Sequence, residues 1–590
     1  MKGVRQNRFK EKRKPKNFKK TIRRLWDYFK FKKKLLLIVL LLVIADSFLV
    51  IISPYLIGKA VDYIDFKELN LLNITLIVLI GSYLIDLVIQ FFQNFIIYSI
   101  GQHVVKNIRE EIFIKFQKLP IIFFDTNSKG DIMSRVSNDV ENISSGISDT
   151  LISLLSGILT ITAILITMLI LSPILTLCTV VTIPLVMMLT KTIAKKTKVL
   201  FKNQQVELGK LNGHIEEMIS GINIVKIFNH EEKSINQFKN INENLLNVSI
   251  KAQIYSALLM PMMNVINNIA FALVSIVGGI LATKDIITVG VIATFLSYSR
   301  SFTRPLNNLA NLFNTFQSAL AGCERIFEIL DSQEEVKDTK NCKIFDKINN
   351  DLIFENVSFG YKKDEYVLKN INLNIKANTS NAIIGETGSG KTTMVNLITR
   401  FYEIDSGSIK IDGIDIKDYC RDSYRDAFSV VLQDSYLFNE TIKENIKYGN
   451  LEASNDDIIE ACKKVGAHNF IIKLKDGYNT VISESGGELS QGQKQLLTIA
   501  RSILKNPGIL ILDEATSNVD TKTELKIQET MLDIMKGRTS FIIAHRLSTI
   551  RNCDNIIVIQ DGKISEMGSH EELMKLKGYY YNNVNILNNK

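Results

Sequence analysis

Nine consecutive residues, Gly385–Thr393 (GETGSGKTT), carry the plainest chemistry in the sequence. They follow an apolar run, Ser380–Ile384, that reads as a strand, and they precede a helical pattern. The spacing G-x-x-x-x-G-K-T lets a strand turn into a helix while backbone N–H groups wrap phosphate oxygens. Gly385, Gly388 and Gly390 permit that close approach, and Glu386, Thr387 and Ser389 share the loop. Lys391 is expected to reach the β- and γ-phosphates, and Thr392 to bind Mg²⁺ beside Thr393. About 120 residues further on, Ile509–Glu514 (ILILDE) reads as a buried strand ending in two carboxylates. Asp513 suits the Mg²⁺ shell, directly or through water, and Glu514 suits a general base that polarises the attacking water. The chemistry is hydrolysis of a nucleoside triphosphate.

These residues need a scaffold of short strands alternating with helices. From Asp351 the pattern is of that kind: Ile/Val/Leu runs punctuated by Gly, over about 240 residues. The remainder is different. Six segments are apolar enough, or nearly so, to cross a hydrocarbon layer of roughly 30 Å. They are Leu35–Leu56, Ile74–Ile97, Thr150–Leu171, Pro173–Thr190, Ser256–Leu281 and Ile286–Phe302. The links after the second and fourth are about 50 and about 65 residues long, rich in Lys and Glu, and read as helical stalks reaching below the membrane.

The net charge of +10 hides an asymmetry. The first 34 residues hold 16 Lys and Arg against Glu11 and Asp27, so the basic character belongs to one tail. An apolar run follows at once, which favours membrane lipid over nucleic acid as the tail's partner and places the N-terminus in the cytoplasm. Six crossings return the chain there. The 590 residues are too many for one core, and the apolar content excludes a disordered chain. Six cysteines without a C-x-x-C pair exclude a disulfide scaffold and a zinc ribbon. The expected organisation is a basic tail (1–34), a transmembrane domain (35–325), a linker (326–350) and a nucleotide-binding domain (351–590).

Between the phosphate loop and ILILDE lies Leu489–Gln493 (LSQGQ), followed by KQLLTIARSIL. With this run the sequence resembles the ABC transporter family, and LSQGQ resembles its signature sequence. The resemblance implies that Ser490 caps a helix facing the γ-phosphate held by another nucleotide-binding domain, and that Gly492 and Gln493 approach that phosphate. Gln491 stands where glycine is commoner. Tyr361 (SFGY) resembles the aromatic that stacks on adenine. Gln433 (VVLQDSYLF) resembles the loop glutamine that senses Mg²⁺ and the attacking water. Glu484 (TVISESG) resembles the exporter-specific loop, Asp520 (SNVD) the loop between two ATP sites, and His545 (IIAHRLSTI) the switch histidine. Phe123–Val140 and Gly221–Glu231 resemble the two stalks of an exporter-type half-transporter, with short coupling helices expected near Asn138–Ser144 and His214–Ser220.

The fold class implied is an α-helical transmembrane domain with six helices and long stalks, plus an α/β P-loop ATPase domain. The cofactors are ATP and Mg²⁺. One phosphate loop and one LSQGQ belong to two different sites, so a second half-transporter chain is required, as homodimer or heterodimer. The expected function is ATP-driven export of a small amphipathic compound, a drug or a lipid, across the bacterial plasma membrane. An ATP-gated regulator that moves no substrate is the alternative. Asp46 and Asp86 fall mid-membrane, where carboxylates are costly unless paired, so they are candidates for substrate or cation recognition, the alternative being an interhelical hydrogen bond or a snorkelled position. Arg300 and Arg304 sit in the sixth crossing, either on the pathway or at its cytoplasmic boundary.

Overall fold

The structure, a computed structural model, describes residues 17–588 apart from 363–364, 433–434, 484–488, 514–520 and 544–546. It divides into two compact units, one built from the chain up to Gln117 with Lys129–Ser332, the other from Lys118–Ser128 with the chain from Gln333 onward.

The first unit is helical. A short amphipathic helix, α1 (Phe18–Phe29), leads into α2 (Lys33–Asp65), and α3 (Leu69–Lys118) follows. Beyond α4 (Ile121–Thr126), which belongs to the second unit, come α5 (Lys129–Ser134), α6 (Val140–Leu171), α7 (Pro173–Val180), α8 (Thr182–Ser220), α9 (Ile222–Ile227), α10 (Glu231–Ala257), α11 (Leu259–Ala282) and α12 (Val289–Leu330). Among the described residues, five helical stretches are long and apolar enough to cross a bilayer: Phe18–Asp65, Leu69–Lys118, Ile152–Leu171, Pro173–Ser220 and Glu231–Ala282. The sixth expected crossing falls in α12. At 1.5 Å per residue the 50 residues of α3 extend roughly 75 Å, more than twice the hydrocarbon thickness, so the helix continues as a stalk. Leu84, Ile85, Leu87, Phe91 and Phe95 of α3 are exposed, as side chains that face lipid must be.

The short helices do not lie where the sequence suggested. Asn138 belongs to a single π turn, Val140–Ser144 open α6, and His214–Ser220 close α8. The six-residue helices nearby are instead α4 and α5, ahead of Asn138, and α9, behind Ser220. Backbone chemistry explains the difference. Pro120 cannot continue α3 and becomes the N-cap of α4, while Gly221 ends α8 and caps α9.

Helices α2, α6 and α12 pack closely through small residues, as membrane helices do in the absence of a hydrophobic drive. A Cβ added at Gly146 of α6 would lie 2.4 Å from the Ala319 Cβ, and one added at Gly290 of α12 would lie 2.0 Å from the Gly58 carbonyl oxygen. Asp62, buried at the end of α2, accepts from Gly290 N at 2.8 Å and from Thr288 Oγ1 at 3.0 Å, so it supplies the missing cap of α12. At the stalk level Arg325 of α12 forks onto Asp139, with Nε 2.7 Å from Oδ2. Asp139 is buried, so Arg325→Met should lower the thermal midpoint of the purified protein, with Arg325→Lys intermediate. Equal midpoints for all three would show the pair to be dispensable.

Among its described residues the second unit has ten strands: β1 (Asp351–Phe359), β2 (Leu368–Lys376), β3 (Ser380–Ile384), β4 (Ser406–Ile411), β5 (Ile414–Asp415), β6 (Phe428–Val431), β7 (Ile509–Asp513), β8 (Thr539–Ile543), β9 (Asn555–Gln560) and β10 (Lys563–Gly568). An antiparallel sheet runs β2-β1-β4-β5, and a six-stranded sheet runs β10-β9-β3-β8-β7-β6. In the latter, β6, β7, β8, β3 and β9 are parallel. Strands buried on both faces explain the unbroken apolar runs, such as ILIL in β7. Its helices include α13 (Lys391–Ile398), α14 (Arg421–Asp426), α15 (Ile442–Lys447), α16 (Asn455–Lys464), α17 (His468–Ile471) and α18 (Gln491–Lys505). One disulfide, Cys342–Cys420, closes 78 residues of this unit. No local cysteine pattern announces it, because the partners meet only in the fold.

Candidate functional site

A parallel sheet collects its functional loops at the carboxyl ends of its strands. Strand β3 lies inside the six-stranded sheet between β9 and β8. Its Ile383 is level with Ile543 of β8, which is level in turn with Asp513 of β7. The phosphate loop after β3 and the carboxylate ending β7 therefore share one edge, two strand spacings or about 10 Å apart. Strands β6 and β8 end at the same edge. Gln433, Glu484, Glu514, Asp520 and His545 lie outside the described residues.

The loop itself is shaped for phosphate. Gly388 and Gly390 have φ of 88° and 109°, the left-handed region where a side chain is strained. A Cβ at Gly390 would meet the Leu368 side chain at 2.6 Å, and one at Gly385 would meet the Ile559 carbonyl oxygen at 2.2 Å. Helix α13 starts at Lys391 directly behind this turn. The Lys391 side chain is buried and folds over the loop, donating to Gly385 O at 2.9 Å and Glu386 O at 2.8 Å. The Ser389 hydroxyl is buried with no hydrogen-bond partner, so the loop holds polar capacity that an anion's oxygens would satisfy. Thr392 is exposed on the first turn, where its hydroxyl can meet a cation held against phosphate. The residues present fit a nucleotide triphosphate.

Tyr361 belongs to the same place. Its hydroxyl lies 3.1 Å from Thr393 Oγ1, and its ring packs edge-on against Phe359 and Tyr402. Sequence reasoning missed Tyr402. Its hydroxyl bonds the Asp125 carboxylate of α4, and burial followed by that carboxylate pushes the phenol above its ordinary range. Partners 277 positions apart leave no local signal.

Ser490 and the start of α18 form a capping box: Gln493 N donates to Ser490 Oγ at 3.3 Å, and Ser490 N donates to Gln493 Oε1 at 2.9 Å. Gly492 is buried in the first turn, while Ser490 and Gln491 are exposed. Helix α18 packs on β6, α15 and α16, whereas α13 packs on β8. The LSQGQ turn is thus built on a different part of the domain from the phosphate loop.

In the helical unit, Asp46 and Asp86 come together. Gln90 Nε2 donates to Asp46 Oδ1 at 3.2 Å and to Asp86 Oδ2 at 3.0 Å, and Ser156 Oγ donates to Asp46 Oδ2 at 3.4 Å. Asp46 is buried, and Asp86 Oδ1 has no hydrogen-bond partner. The Arg300 guanidinium lies 6.0 Å from the Phe271 ring centroid, and the Arg304 side chain lies outside the described residues.

A phosphate loop on a parallel sheet, in one chain with bilayer-length helices, defines an ATP-dependent membrane transporter. Residues 36–306 match the ABC transporter transmembrane region and residues 368–517 match the ABC transporter ATPase domain. The chain is 45% identical to the uncharacterised ABC transporter ATP-binding protein YfiC of Bacillus subtilis, over 97% of this chain and 95% of that one. It is 42% identical to a fatty acid ABC transporter ATP-binding/permease protein of Mycobacterium bovis, over 81% of this chain and 76% of that one. Among solved structures it resembles a bacterial Atm1-family ABC exporter with ATP bound, at a TM-score of 0.74 and 27% identity, over 94% of this chain and 98% of that one. The chain belongs to the ABC transporter family and is an exporter-type half-transporter, an ATP-hydrolysing multi-pass membrane protein whose nucleotide-binding domain is cytoplasmic.

Proposed function

We propose that this chain pairs with a second half-transporter so that each ATP is held between the phosphate loop of one chain and the LSQGQ turn of the other. The observation that carries this reading is the separate placement of the two elements: the phosphate loop at the β3 edge, and the capped, exposed Ser490 turn on the β6 side. Each chain then offers half of two sites. Residues Gly385–Thr393 and Tyr361 hold the nucleotide, with Lys391 on its β- and γ-phosphates. Thr392, Gln433 and Asp513 hold Mg²⁺, which supplies charge neutralisation at the transferring phosphoryl group. Glu514 orients and deprotonates the attacking water, His545 contacts the γ-phosphate, and Asp520 lies between the sites.

ATP draws the two domains together, and hydrolysis releases them. Coupling to transport follows if the inward and outward arrangements of the helices bind ATP differently. The cargo proposed is a small amphipathic compound, a lipid or a drug. The name of the mycobacterial relative, a fatty acid transporter, supports a lipidic cargo. The Asp46–Gln90–Asp86 cluster supports a polar contact within the helical unit, because buried carboxylates there need a partner.

The test is ATP hydrolysis by this chain purified alone in lipid nanodiscs. Activity that falls to background when EDTA removes Mg²⁺ and returns on its addition identifies a second copy as a sufficient partner. Nucleotide binding without hydrolysis identifies a different half-transporter as the partner. Hydrolysis unaffected by EDTA would refute the metal assignment.

A further inference from the structure

The linker that enters the nucleotide-binding domain is sewn to it by polar contacts. Glu335 N donates to Lys118 O at 2.9 Å, and Arg425 Nη2 donates to Glu335 Oε1 at 2.6 Å. Arg421 N donates to Asp338 Oδ2 at 2.7 Å. Lys343 N then donates to Asp418 O at 2.9 Å, and Cys420 N to Lys343 O at 2.8 Å. This short ladder sets Cys342 beside Cys420, with Cα atoms 4.9 Å apart and a bond between the sulfurs. Backbone hydrogen bonds on Lys343 and Cys420 thus align the two residues alongside the bond between their sulfurs.

The domain is cytoplasmic, where thiols are kept reduced, and cytoplasmic disulfides are usually transient and regulatory. We propose that Cys342 and Cys420 form a reversible thiol-modification site that reacts with low-molecular-weight disulfides and, when oxidised, clamps the linker to the nucleotide-binding domain. In the reaction one cysteine thiolate attacks a small disulfide, RSSR, forms a mixed disulfide and releases RS⁻. The second cysteine, as thiolate, attacks the sulfur of the first and releases another RS⁻. The protein gives up two protons and two electrons, and the small disulfide becomes two thiols.

Both cysteines are half-buried, within reach of a small reagent. The other cysteines of this unit are not: Cys462 and Cys553 are buried, and burial pushes their thiols up to about 11 and about 12, where they stay protonated and inert. The bond joins the linker to a residue beyond the phosphate loop, since Gly385–Thr393 lies between the two cysteines in the chain. The clamp therefore encloses Tyr361 and the phosphate loop in one covalent loop. The proposal is independent of the cargo and of the partner chain.

The experiment uses full-length protein in lipid nanodiscs, reduced with dithiothreitol and then treated with oxidised glutathione. Mass spectrometry should find the Cys342–Cys420 peptide pair after treatment and lose it on renewed reduction. Lys337, Lys340 and Lys343 are exposed in the linker, so limited trypsin digestion reports its seating. Cleavage there, read after reduction of the fragments, should be at least tenfold slower in the oxidised protein. Cys342→Ser and Cys420→Ser should cleave at the reduced rate under both conditions, with ATP hydrolysis equal to that of the reduced protein. A single glutathione adduct that persists, no linked peptide, or equal cleavage in both states would overturn the proposal. Because wild type is compared with itself across redox states, a variant that fails to fold leaves the test decisive.

Discussion

Glu514→Gln is expected to lower ATP turnover by about 10²–10⁴-fold, the typical share of a positioned general base, while ATP binding stays within about twofold. The strand β7 delivers the chain to the edge shared with the phosphate loop and ends at Asp513. The next residue is Glu514. Glutamine keeps its size and one acceptor but cannot take a proton from water at neutral pH. In the proposed site the phosphate contacts come from Gly385–Thr393, which this substitution leaves unchanged, so nucleotide should remain bound. Lys391→Ala is the contrasting variant. It removes the ammonium that folds over Gly385 and Glu386, and should weaken ATP binding as well as hydrolysis. Rates measured at saturating ATP, together with binding of a fluorescent nucleotide, separate the two. A Glu514→Gln protein that hydrolyses ATP at the wild-type rate would remove Glu514 from the mechanism.

Gly290→Val should have an effect of comparable severity on a different quantity, the yield of folded protein. The first carbon of the new side chain would fall 2.0 Å from the Gly58 carbonyl oxygen and 2.5 Å from the Asp62 carboxyl. Both obstacles are held: one is backbone of α2, and the other is a buried carboxylate capping α12. Relief would require α2 and α12 to part, which exposes Asp62 and uncaps α12. Overpacking of this kind costs about 1–3 kcal/mol, and loss of a cap about 1 kcal/mol more. Size-exclusion chromatography in detergent should show loss of monodisperse protein. Gly81→Val is the control, because a Cβ there has no neighbour within 4 Å. If both variants behave alike, the α2–α12 contact is not what sets stability.

What the sequence made legible follows a physical rule. The long helices and the phosphate loop depend on local quantities: apolar run length, glycine spacing and the change of period from helix to strand. The cap at Ser490 was legible for the same reason, since the capping box Ser490–Gln493 covers four residues, whereas Tyr361 was named through the family resemblance. The short helices were misplaced although their signals, Pro120 and Gly221, are single residues. Those breakers carry more information than the polar runs near Asn138 and His214. Contacts across long separations left no trace. Asp62 caps a helix that begins 227 residues later, Tyr402 bonds Asp125, and Cys342 meets Cys420. Each residue type is ordinary in its own neighbourhood, and only the fold gives it a partner.

The same distinction bounds the substrate. Asp46 and Asp86 were visible as carboxylates in apolar helices, but their meeting through Gln90 is tertiary. The amide of Gln90 bridges two carboxylates, which ties α2 to α3 through a polar contact that lipid-facing side chains cannot provide.

ATP-driven movement of an amphiphile across the bilayer is the activity proposed for this chain. Its most direct test is ATP-dependent uptake into inside-out proteoliposomes, using a fluorescently labelled fatty acid, a headgroup-labelled phospholipid and a lipophilic cationic dye. The chain is reconstituted with whichever partner restores hydrolysis. At least one of these probes should accumulate with ATP, and should fail to accumulate with a non-hydrolysable analogue or with Glu514→Gln. Robust hydrolysis with no movement of any of the three would contradict it and favour an ATP-gated regulator instead.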